Sequence, residues 1–241
     1  MPRLTLTSAV VMAVTSVGAP AFAQSPYQVR LGVDLPLLGL GLAGTSAALV
    51  EVPRPACLAY PSGCSPDGVN ALDRTALGNY SPTAHTVADA AVIGLLALPL
   101  ALDLIDSRGR GWIEDVVVMA QAVLLTQAAT QLTKFAVRRP APLIYDPSVS
   151  DEDRNSSDAA RSFFSGHTST AFAAATSYAV TFWLRHPRSP WRWVVLGVGG
   201  ALAAGVGVLK VQAGYHYWTD VLAGAAVGVS IGALVPILHW R

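Results

Sequence analysis

The chain has 241 residues, of which 52% are apolar and only 13% are charged, about half the ~25% charged residues of an average soluble domain. This composition excludes a disordered chain, a collagen and a small disulfide-stapled scaffold, and it argues against an ordinary cytosolic domain. Sixteen basic residues balance fifteen acidic ones, so the net charge gives no electrostatic reason to expect a nucleic-acid partner.

Residues 1–23 have the three parts of a secretory signal peptide. Arg3 supplies the basic start, residues 9–17 are an apolar stretch, and residues 21–23 form a small-x-small cleavage site. The alternative is an uncleaved first membrane helix, although the apolar stretch is short for a span. In either case we expect the chain to be exported.

Residues 24–86 are predicted to form an N-terminal segment outside the membrane. Export places this segment in an oxidising compartment, where Cys57 and Cys64 are expected to form a disulfide. Their spacing, without paired histidines nearby, argues against a zinc site. The segment also contains a sixteen-residue apolar run at 35–50, bounded by acidic residues, whose length leaves it between a span and a surface helix.

Five charge-free apolar runs follow, each about as long as the ~20 residues that cross a bilayer or slightly shorter. They lack the two-residue alternation of barrel strands, whereas helices satisfy their own backbone groups in lipid. The sequence therefore predicts an all-α protein, a multi-helix transmembrane bundle over residues 87–241. The five predicted spans cover residues 90–102, 116–133, 168–184, 193–209 and 221–238.

Basic residues indicate how the predicted spans are oriented. The connectors at 106–111 and 185–192 and the C-terminal Arg241 carry arginines, and short basic loops stay cytoplasmic. After cleavage of a signal peptide, five spans put the mature N-terminus outside and the C-terminus inside. Residues 35–50 are then a periplasmic, interfacial or re-entrant helix, with a sixth span as the alternative. We expect a bacterial inner-membrane protein.

The last predicted helix carries Gly224, Gly228 and Gly232 at every fourth position. Such a face of small residues allows helices to pack closely in membranes. A Gly- and Ala-rich helix also shows this spacing by chance.

Three clusters of polar residues lie on the predicted outer side of the membrane. The first cluster follows the second predicted span and contains three cations, Lys134, Arg138 and Arg139. Basic residues commonly anchor helices at the interface, but an outward position runs against the positive-inside tendency. An anionic ligand is another explanation for these charges.

The second cluster opens the third predicted span with Ser162, Ser165, Gly166 and His167. A helix N-terminus has free N–H groups and a positive dipole end, so serines beside a glycine there suit a phosphate. Capping of the helix by Ser162 or Ser165 explains the serines equally well. Capping does not explain His167, because an ionisable residue at the mouth of a membrane helix is costly and usually functional.

The third cluster runs from Lys210 to Asp220 and contains His216. His216 and Asp220 are four residues apart and share a helix face. A carboxylate bonded to one imidazole nitrogen leaves the other as a nucleophile or base, and a structural His–Asp pair is the alternative. Together the clusters supply the charge stabilisation and the nucleophile of phosphoryl transfer, without a metal or a cysteine.

In this order and spacing the three clusters resemble the PAP2 (type 2 phosphatidic acid phosphatase) superfamily, and in particular its membrane lipid phosphatases, over residues 87–241. The superfamily pattern is K-x6-R-P, then P-S-G-H, then S-R-x5-H-x3-D. The third motif is the most specific match. Its spacings from Lys210 through His216 to Asp220 are kept, and Val-Leu-Ala-Gly follows the aspartate.

The resemblance implies a role for each matched residue, and it implies no cofactor or metal. His216 would attack phosphorus and form a phosphohistidine, Asp220 would orient His216, and His167 would protonate the leaving oxygen. The implied phosphate-binding residues are Lys134, Ser165, Gly166 and Lys210, and Arg139 would partly compensate for Ala141, which stands where the first motif has arginine.

The implied function is hydrolysis of a lipid phosphate or an isoprenyl pyrophosphate at the outer face of the inner membrane. Alternatives on the same scaffold are a soluble-substrate acid phosphatase, a vanadate-dependent haloperoxidase and a non-catalytic lipid-phosphate binder. Ala141 and Lys210 motivate the last alternative, and Phe164 also replaces the proline of the second motif. Lysine keeps the charge of arginine but lacks the bidentate fork that suits phosphate.

Overall fold

The computed structural model describes residues 25–50 and 64–241, and these residues form helices, turns and one isolated β-bridge. The helices are α1 (Leu31–Thr45), α2 (Pro82–Ser107), α3 (Trp112–Val137), the single-turn α4 (Asp151–Arg154), α5 (Gly166–Arg185), α6 (Trp191–Gln212) and α7 (Trp218–His239). Short 3-10 turns cover Ser46–Leu49, Asp73–Ala76 and Pro142–Tyr145. The predicted signal peptide and Cys57 lie outside the described residues, and Cys64 is disulfide-bonded.

Five helical segments of the described chain are long and apolar enough to cross a membrane. The predicted all-α transmembrane bundle is therefore confirmed. The set of apolar helices differs from the predicted set, because it includes α1 and omits α5. The five segments are Leu31–Leu49, Pro82–Ser107, Trp112–Tyr145, Trp191–Gln212 and Trp218–His239.

The central helix of the bundle is α5, which packs against α2, α3, α6 and α7. More than half of its residues are buried, including Thr168, Ser169 and Thr170. A helix surrounded by other helices faces little lipid, and small hydroxylated residues allow close approach of its neighbours. The prediction of a helix over 168–184 is confirmed, but its surroundings are mainly protein.

The glycine repeat of α7 lies against α5, which confirms that these small residues serve close packing. A Cβ added at Gly224 would lie 2.7 Å from the carbonyl oxygen of Ser165. Gly228 and Gly232 approach carbonyl oxygens on the following turns of α5 in the same way. The stripe therefore brings the start of α7 against the start of α5, and the third polar cluster against the second.

Helix α1 packs beside α3, and the two helices are parallel. Near the start of α1, Asp34 accepts a hydrogen bond from Gln121 (3.0 Å). Beyond its end, Arg161 donates to the carbonyl oxygen of Ala48 (2.8 Å), in the loop that precedes α5. The helix thus extends along the bundle from one end to the other. This arrangement favours a sixth span over the interfacial or re-entrant helix expected for residues 35–50.

The two ends of the described chain meet at the end of the bundle opposite the start of α5. Gln28 donates its N–H to the carbonyl oxygen of His239 (2.9 Å), and Arg241 donates its N–H to that of Pro26 (3.1 Å). The basic connectors predicted that the mature N-terminus and the C-terminus lie on opposite sides of the membrane. In the structure residues 26–28 instead lie beside residues 239–241 at one end, as an even number of through-running helices requires.

A buried ion network joins α2, α3 and α5 at this same end. Arg185, whose side chain is 1% exposed, contacts Asp103 (2.9 Å), Asp106 (3.0 Å) and Asp115. Arg185 was expected to act as a topology-setting charge of a cytoplasmic connector. In the structure the charge of Arg185 is buried, and these three carboxylates neutralise it.

The opposite end of the bundle collects the three polar clusters. Lys134 lies in the last turn of α3 and Lys210 in the last turn of α6, and α5 and α7 both begin there. The loop between α3 and α5 covers this end and contributes its own small core, which includes the buried Leu143 and Ile144. The three clusters, which are far apart in sequence, therefore lie close together in the fold.

Candidate active site

A cavity at this end of the bundle is lined by residues of all three clusters. Four of its residues were predicted for the site from the sequence: Lys134, His167, Lys210 and His216. Three others were not predicted: His85, Asp158 and Tyr215. Two lysines and three histidines around one cavity favour an anionic ligand.

The candidate nucleophile, His216, lies in the turn that connects α6 to α7, and it is buried. Its Nδ1 lies 3.7 Å from Oδ2 of Asp220, which is an ion-pair distance longer than a hydrogen bond. Within the described chain Nδ1 has no hydrogen-bond partner. Burial lowers the pKa of His216 below its ordinary value, and Asp220 opposes this effect without reversing it. The ring is therefore neutral at pH 7, the form that a nucleophile needs.

The carboxylate behind the nucleophile, Asp220, is fully buried in the first turn of α7. Its Oδ2 accepts the N–H of Tyr217 (2.9 Å), and its Oδ1 accepts a hydrogen bond from Arg139 (2.6 Å). Both oxygens are thus held, and Oδ2 is the one closer to His216. Asp220 lies next to His216, but the predicted shared helix face is wrong, because His216 lies in the turn before α7 begins at Trp218.

Helix α2 contributes a carboxylate that links two predicted site residues. Oδ1 of Asp89 accepts a hydrogen bond from Lys210 (2.6 Å) and lies 2.9 Å from Nε2 of His167. One turn earlier, Nδ1 of His85 lies 3.1 Å from the Lys210 ammonium. An ammonium group only donates, so His85 accepts there and carries its proton on Nε2. That nitrogen is 3.4 Å from Asp89.

Sequence reasoning treated α2 only as a span and missed both residues. A signal was present, because His85 and Asp89 have the same four-residue spacing as His216 and Asp220. They stand at the start of an otherwise apolar helix, where ionisable residues are usually functional.

The second lysine of the cavity, Lys134, is buried in the last turn of α3. Its Nζ lies 3.9 Å from Oδ1 of Asp158, whose side chain is largely exposed on the covering loop. Burial raises the pKa of Asp158, but Lys134, Arg161 and the other basic groups nearby together outweigh burial and hold the pKa below its usual range. An ionised carboxylate therefore stands beside the cations of the cavity.

The start of α5 presents Ser165 and Gly166 next to His167. Oγ of Ser165 accepts the N–H of Thr168 (3.4 Å) and its hydroxyl (2.9 Å). Ser165 is fully buried, and its position agrees with the helix-capping explanation considered for the sequence. The carbonyl oxygen of Gly166 accepts a hydrogen bond from Gln127 (3.2 Å), which ties α5 to α3 beneath the cavity.

The guanidinium of Arg139 faces away from this cavity, contrary to the expectation that it compensates for Ala141. Arg139 donates to Asp220 (2.6 Å) and to Asp73 (2.8 Å), and its guanidinium lies 3.9 Å from the centre of the Tyr217 ring. Ala141 is fully buried in the core of the covering loop. The cations that line the cavity are therefore Lys134, at the lysine of the first motif, and Lys210, which stands where the third motif has arginine.

Comparisons with known proteins agree with this arrangement. The sequence profile of the PAP2 superfamily matches residues 115–241. A lipid A 1-phosphatase from Porphyromonas gingivalis is 42% identical over 76 residues, which are 32% of this chain and only 16% of that protein. A crystal structure of a transmembrane PAP2-type phosphatidylglycerolphosphate phosphatase from Bacillus subtilis has a similar fold. Its TM-score is 0.50 and its identity 20%, covering 85% of this chain and 94% of that one.

The long apolar helices of the bundle define an integral membrane protein with a cavity of lysines and histidines at one end. The profile match covers more than half of the chain, so the protein belongs to the PAP2 superfamily. The resemblance indicated by the three clusters is confirmed. The matched region begins after α2, so His85 and Asp89 lie outside it.

Proposed function

We propose that the protein hydrolyses a lipid phosphate or an isoprenyl pyrophosphate through a phosphohistidine on His216. The observation that carries the proposal is the cavity: two lysines and two candidate catalytic histidines converge at one end of an apolar bundle, with a buried carboxylate behind the nucleophile. Membership of the PAP2 superfamily supports the same activity.

In the proposed reaction the phosphate binds beside Lys134 and Lys210, and Nε2 of His216 attacks phosphorus in line with the leaving oxygen. The bond from phosphorus to the leaving oxygen breaks as the N–P bond forms, and His167 gives its proton to that oxygen. Asp220 stabilises the positive charge that develops on His216. Water that gives its proton to His167 then attacks phosphorus, breaks the N–P bond and releases phosphate.

A lipid substrate is supported by the surface around the site end of the bundle. Near the cavity, α2 exposes Val87 and Ile93 (48% and 67%), which suits a substrate held in the bilayer. The similar proteins from Porphyromonas gingivalis and Bacillus subtilis are named for phosphorylated lipids. A soluble-substrate acid phosphatase or a vanadate-dependent haloperoxidase has no need of such a surface.

We place the cavity on the periplasmic side of a bacterial inner membrane. The support is the opposite end of the bundle, where the connectors carry Arg108, Arg110, Arg188 and Arg192, because short basic loops stay cytoplasmic. Alkaline phosphatase fused after Arg241 should then be inactive, since that enzyme requires an oxidising compartment. An active fusion would overturn this orientation.

Phosphate release from a panel of lipid phosphates and pyrophosphates, with purified protein in detergent, tests the proposed activity. His216→Ala should lower turnover by about 10³-fold or more, because the nucleophile is lost. His186→Ala is a matched control, because His186 pairs with Asp106 at the other end of the bundle and should keep activity. Folded wild-type protein that binds lipid phosphates without releasing phosphate would favour the non-catalytic binder, and unchanged turnover of His216→Ala would remove His216 from the mechanism.

A further inference from the structure

A partly buried network of hydrogen bonds lies behind Asp220, on the side of Arg139. One guanidinium nitrogen of Arg139 donates to Oδ1 of Asp220 (2.6 Å) and to the hydroxyl of Thr219 (2.7 Å). The other donates to Oδ2 of Asp73 (2.8 Å). The planar fork of one arginine therefore holds two carboxylates at once.

The second carboxylate of the network, Asp73, belongs to the N-terminal segment and is fully buried. It accepts hydrogen bonds from the N–H (3.0 Å) and hydroxyl (2.6 Å) of Thr219 and from the amide of Asn70 (2.6 Å). Burial raises the pKa of Asp73, but hydrogen bonds from Arg139 and Thr219 outweigh burial and hold the pKa below its usual range. An ionised Asp73 thus fixes the residue that precedes Asp220.

Building on the proposed function, we infer that Arg139 and Asp73 are positioning residues, which hold Asp220 against His216 and do not touch the substrate phosphate. Arg139 engages Oδ1 of Asp220, which leaves Oδ2 toward His216. Arg139 lines a separate cavity together with Tyr145 and Tyr217.

The charges of the network suit this role. Two buried carboxylates without Arg139 would repel each other, and an unpaired buried charge is strongly destabilising. With Arg139 between them, the network keeps one net negative charge behind His216. That charge complements the positive charge that the imidazole gains when Nε2 bonds phosphorus.

The inference also gives a role to a segment that the superfamily profile does not cover. Asp73 precedes residues 115–241, the matched region, and it reaches Asp220 only through Arg139 and Thr219. Arg139 follows α3, so three separate parts of the chain meet behind the nucleophile.

Kinetics separate a positioning role from a phosphate-binding role. Removal of a phosphate ligand weakens inhibition by orthovanadate, a mimic of phosphate. Removal of a positioning residue lowers kcat and leaves vanadate inhibition unchanged. Asp73 is the sharper probe, because a carboxylate repels phosphate and only positioning predicts a defect in Asp73→Asn.

The experiment measures kcat, KM and the vanadate inhibition constant for Arg139→Gln, Arg139→Lys and Asp73→Asn. The exposed neighbours supply matched controls, Arg138→Gln and Asp67→Asn. We expect kcat to fall about 10- to 10²-fold in Arg139→Gln and Asp73→Asn, while the vanadate constant changes less than about threefold. Arg139→Lys should recover part of kcat, because it keeps the charge but not the fork.

The pH profile adds a readout that a merely structural role would not move. Asp220 raises the pKa of His216, so a displaced Asp220 should shift the acid limb of kcat/KM to lower pH in Asp73→Asn. Wild-type kinetics of Asp73→Asn would overturn the inference. A vanadate constant about tenfold higher in Arg139→Gln with kcat kept would also overturn it, in favour of a phosphate ligand.

Failure of this inference is distinguishable from failure of the proposed function. If the wild-type protein is inactive, the proposed function fails and this inference fails with it. If the wild type is active, His216→Ala is inactive and Asp73→Asn behaves as wild type, only the positioning role fails. Asp73→Asn and Arg139→Lys preserve side-chain size closely, so they decide the question if Arg139→Gln does not fold.

Discussion

Replacing Asp89 by Asn tests the contribution of α2 to the cavity. The substitution keeps the shape of the side chain and removes its charge. In the structure the Asp89 carboxylate accepts a hydrogen bond from Lys210 (2.6 Å) and lies 2.9 Å from Nε2 of His167. We therefore expect Asp89→Asn to weaken the positioning of a phosphate-binding lysine and of the proposed general acid together.

The size of the effect follows from these two contacts. Hydrogen bonds to charged groups contribute about 1.5–3 kcal/mol each. The Asp89 side chain is 42% exposed, so solvent screening reduces the sum to about 2 kcal/mol, or roughly 10- to 50-fold in kcat. The affinity for anions should change in the opposite direction. With one negative charge fewer beside Lys210, orthovanadate should inhibit about 3- to 10-fold more tightly.

The assay is phosphate release from a lipid phosphate in detergent micelles, with vanadate inhibition measured in parallel. Asp158→Asn provides a comparison, because it removes the same charge beside Lys134, where the separation is 3.9 Å. It should also tighten vanadate inhibition but lower kcat less, since Asp158 has no ion pair with His167 in the structure. A wild-type kcat in Asp89→Asn would refute the assignment of Asp89 to the site.

Two further predictions concern pH and packing. Burial lowers the pKa of His216 and the neutral ring is the nucleophile, so the acid limb of kcat/KM should lie below the ordinary histidine value of about 6.5; an acid limb centred above pH 7 would contradict this. Gly228→Ala should reduce the free energy of unfolding by about 1–3 kcal/mol, because its Cβ would overlap the Ser169 carbonyl oxygen. Gly200→Ala is the matched control, since nothing lies within 4 Å of its added Cβ, and equal melting temperatures of the two variants by circular dichroism would disprove the packing argument.

The part of the site that sequence predicted well is the part set by local spacing. His216 and Asp220 are only four residues apart in sequence, so they lie close together (3.7 Å) although His216 precedes the first residue of α7, Trp218. Lys134 and Lys210 each follow an apolar run, so the sequence alone predicts that each lies at the end of a helix. Asp89 could not be assigned in this way, because its contacts with Lys210 and His167 depend on how α2 packs against α5 and α6.

The contacts of Arg139 with Asp220 and Asp73 could not be predicted from the sequence for a related reason. Arg138 ends α3 in the left-handed conformation (φ 50°), an uncommon backbone state outside glycine, and the chain changes direction there. Spacing from Lys134 along the sequence therefore does not tell which way Arg139 points. Its partner Asp73 lies 66 residues away in sequence, beyond the reach of any local pattern.

Hydropathy left α1 undecided between a span and a surface helix and did not show that α5 is enclosed by other helices, and buried polar residues explain both cases. Asp34 seemed to bound the apolar run of α1, yet it is buried and pairs with Gln121 and His239 (3.0 and 2.9 Å), so the helix begins before it. A paired carboxylate costs much less inside a bundle than in lipid. In α5 the hydroxyl-rich sequence reflects neighbours on several sides, since a helix enclosed by protein does not need an apolar surface.

The two ends of the bundle use charge in different ways, and the difference locates the site without any motif. At one end Arg185 is surrounded by Asp103, Asp106 and Asp115, so a buried cation is compensated by carboxylates of the protein itself. At the other end buried Lys134 meets its carboxylate only at 3.9 Å, and Nδ1 of buried His216 has no hydrogen-bond partner within residues 25–50 and 64–241. Desolvated charges that are incompletely paired destabilise the unliganded protein. Under the proposed function, a bound phosphate would supply the missing negative charge and recover free energy at that end.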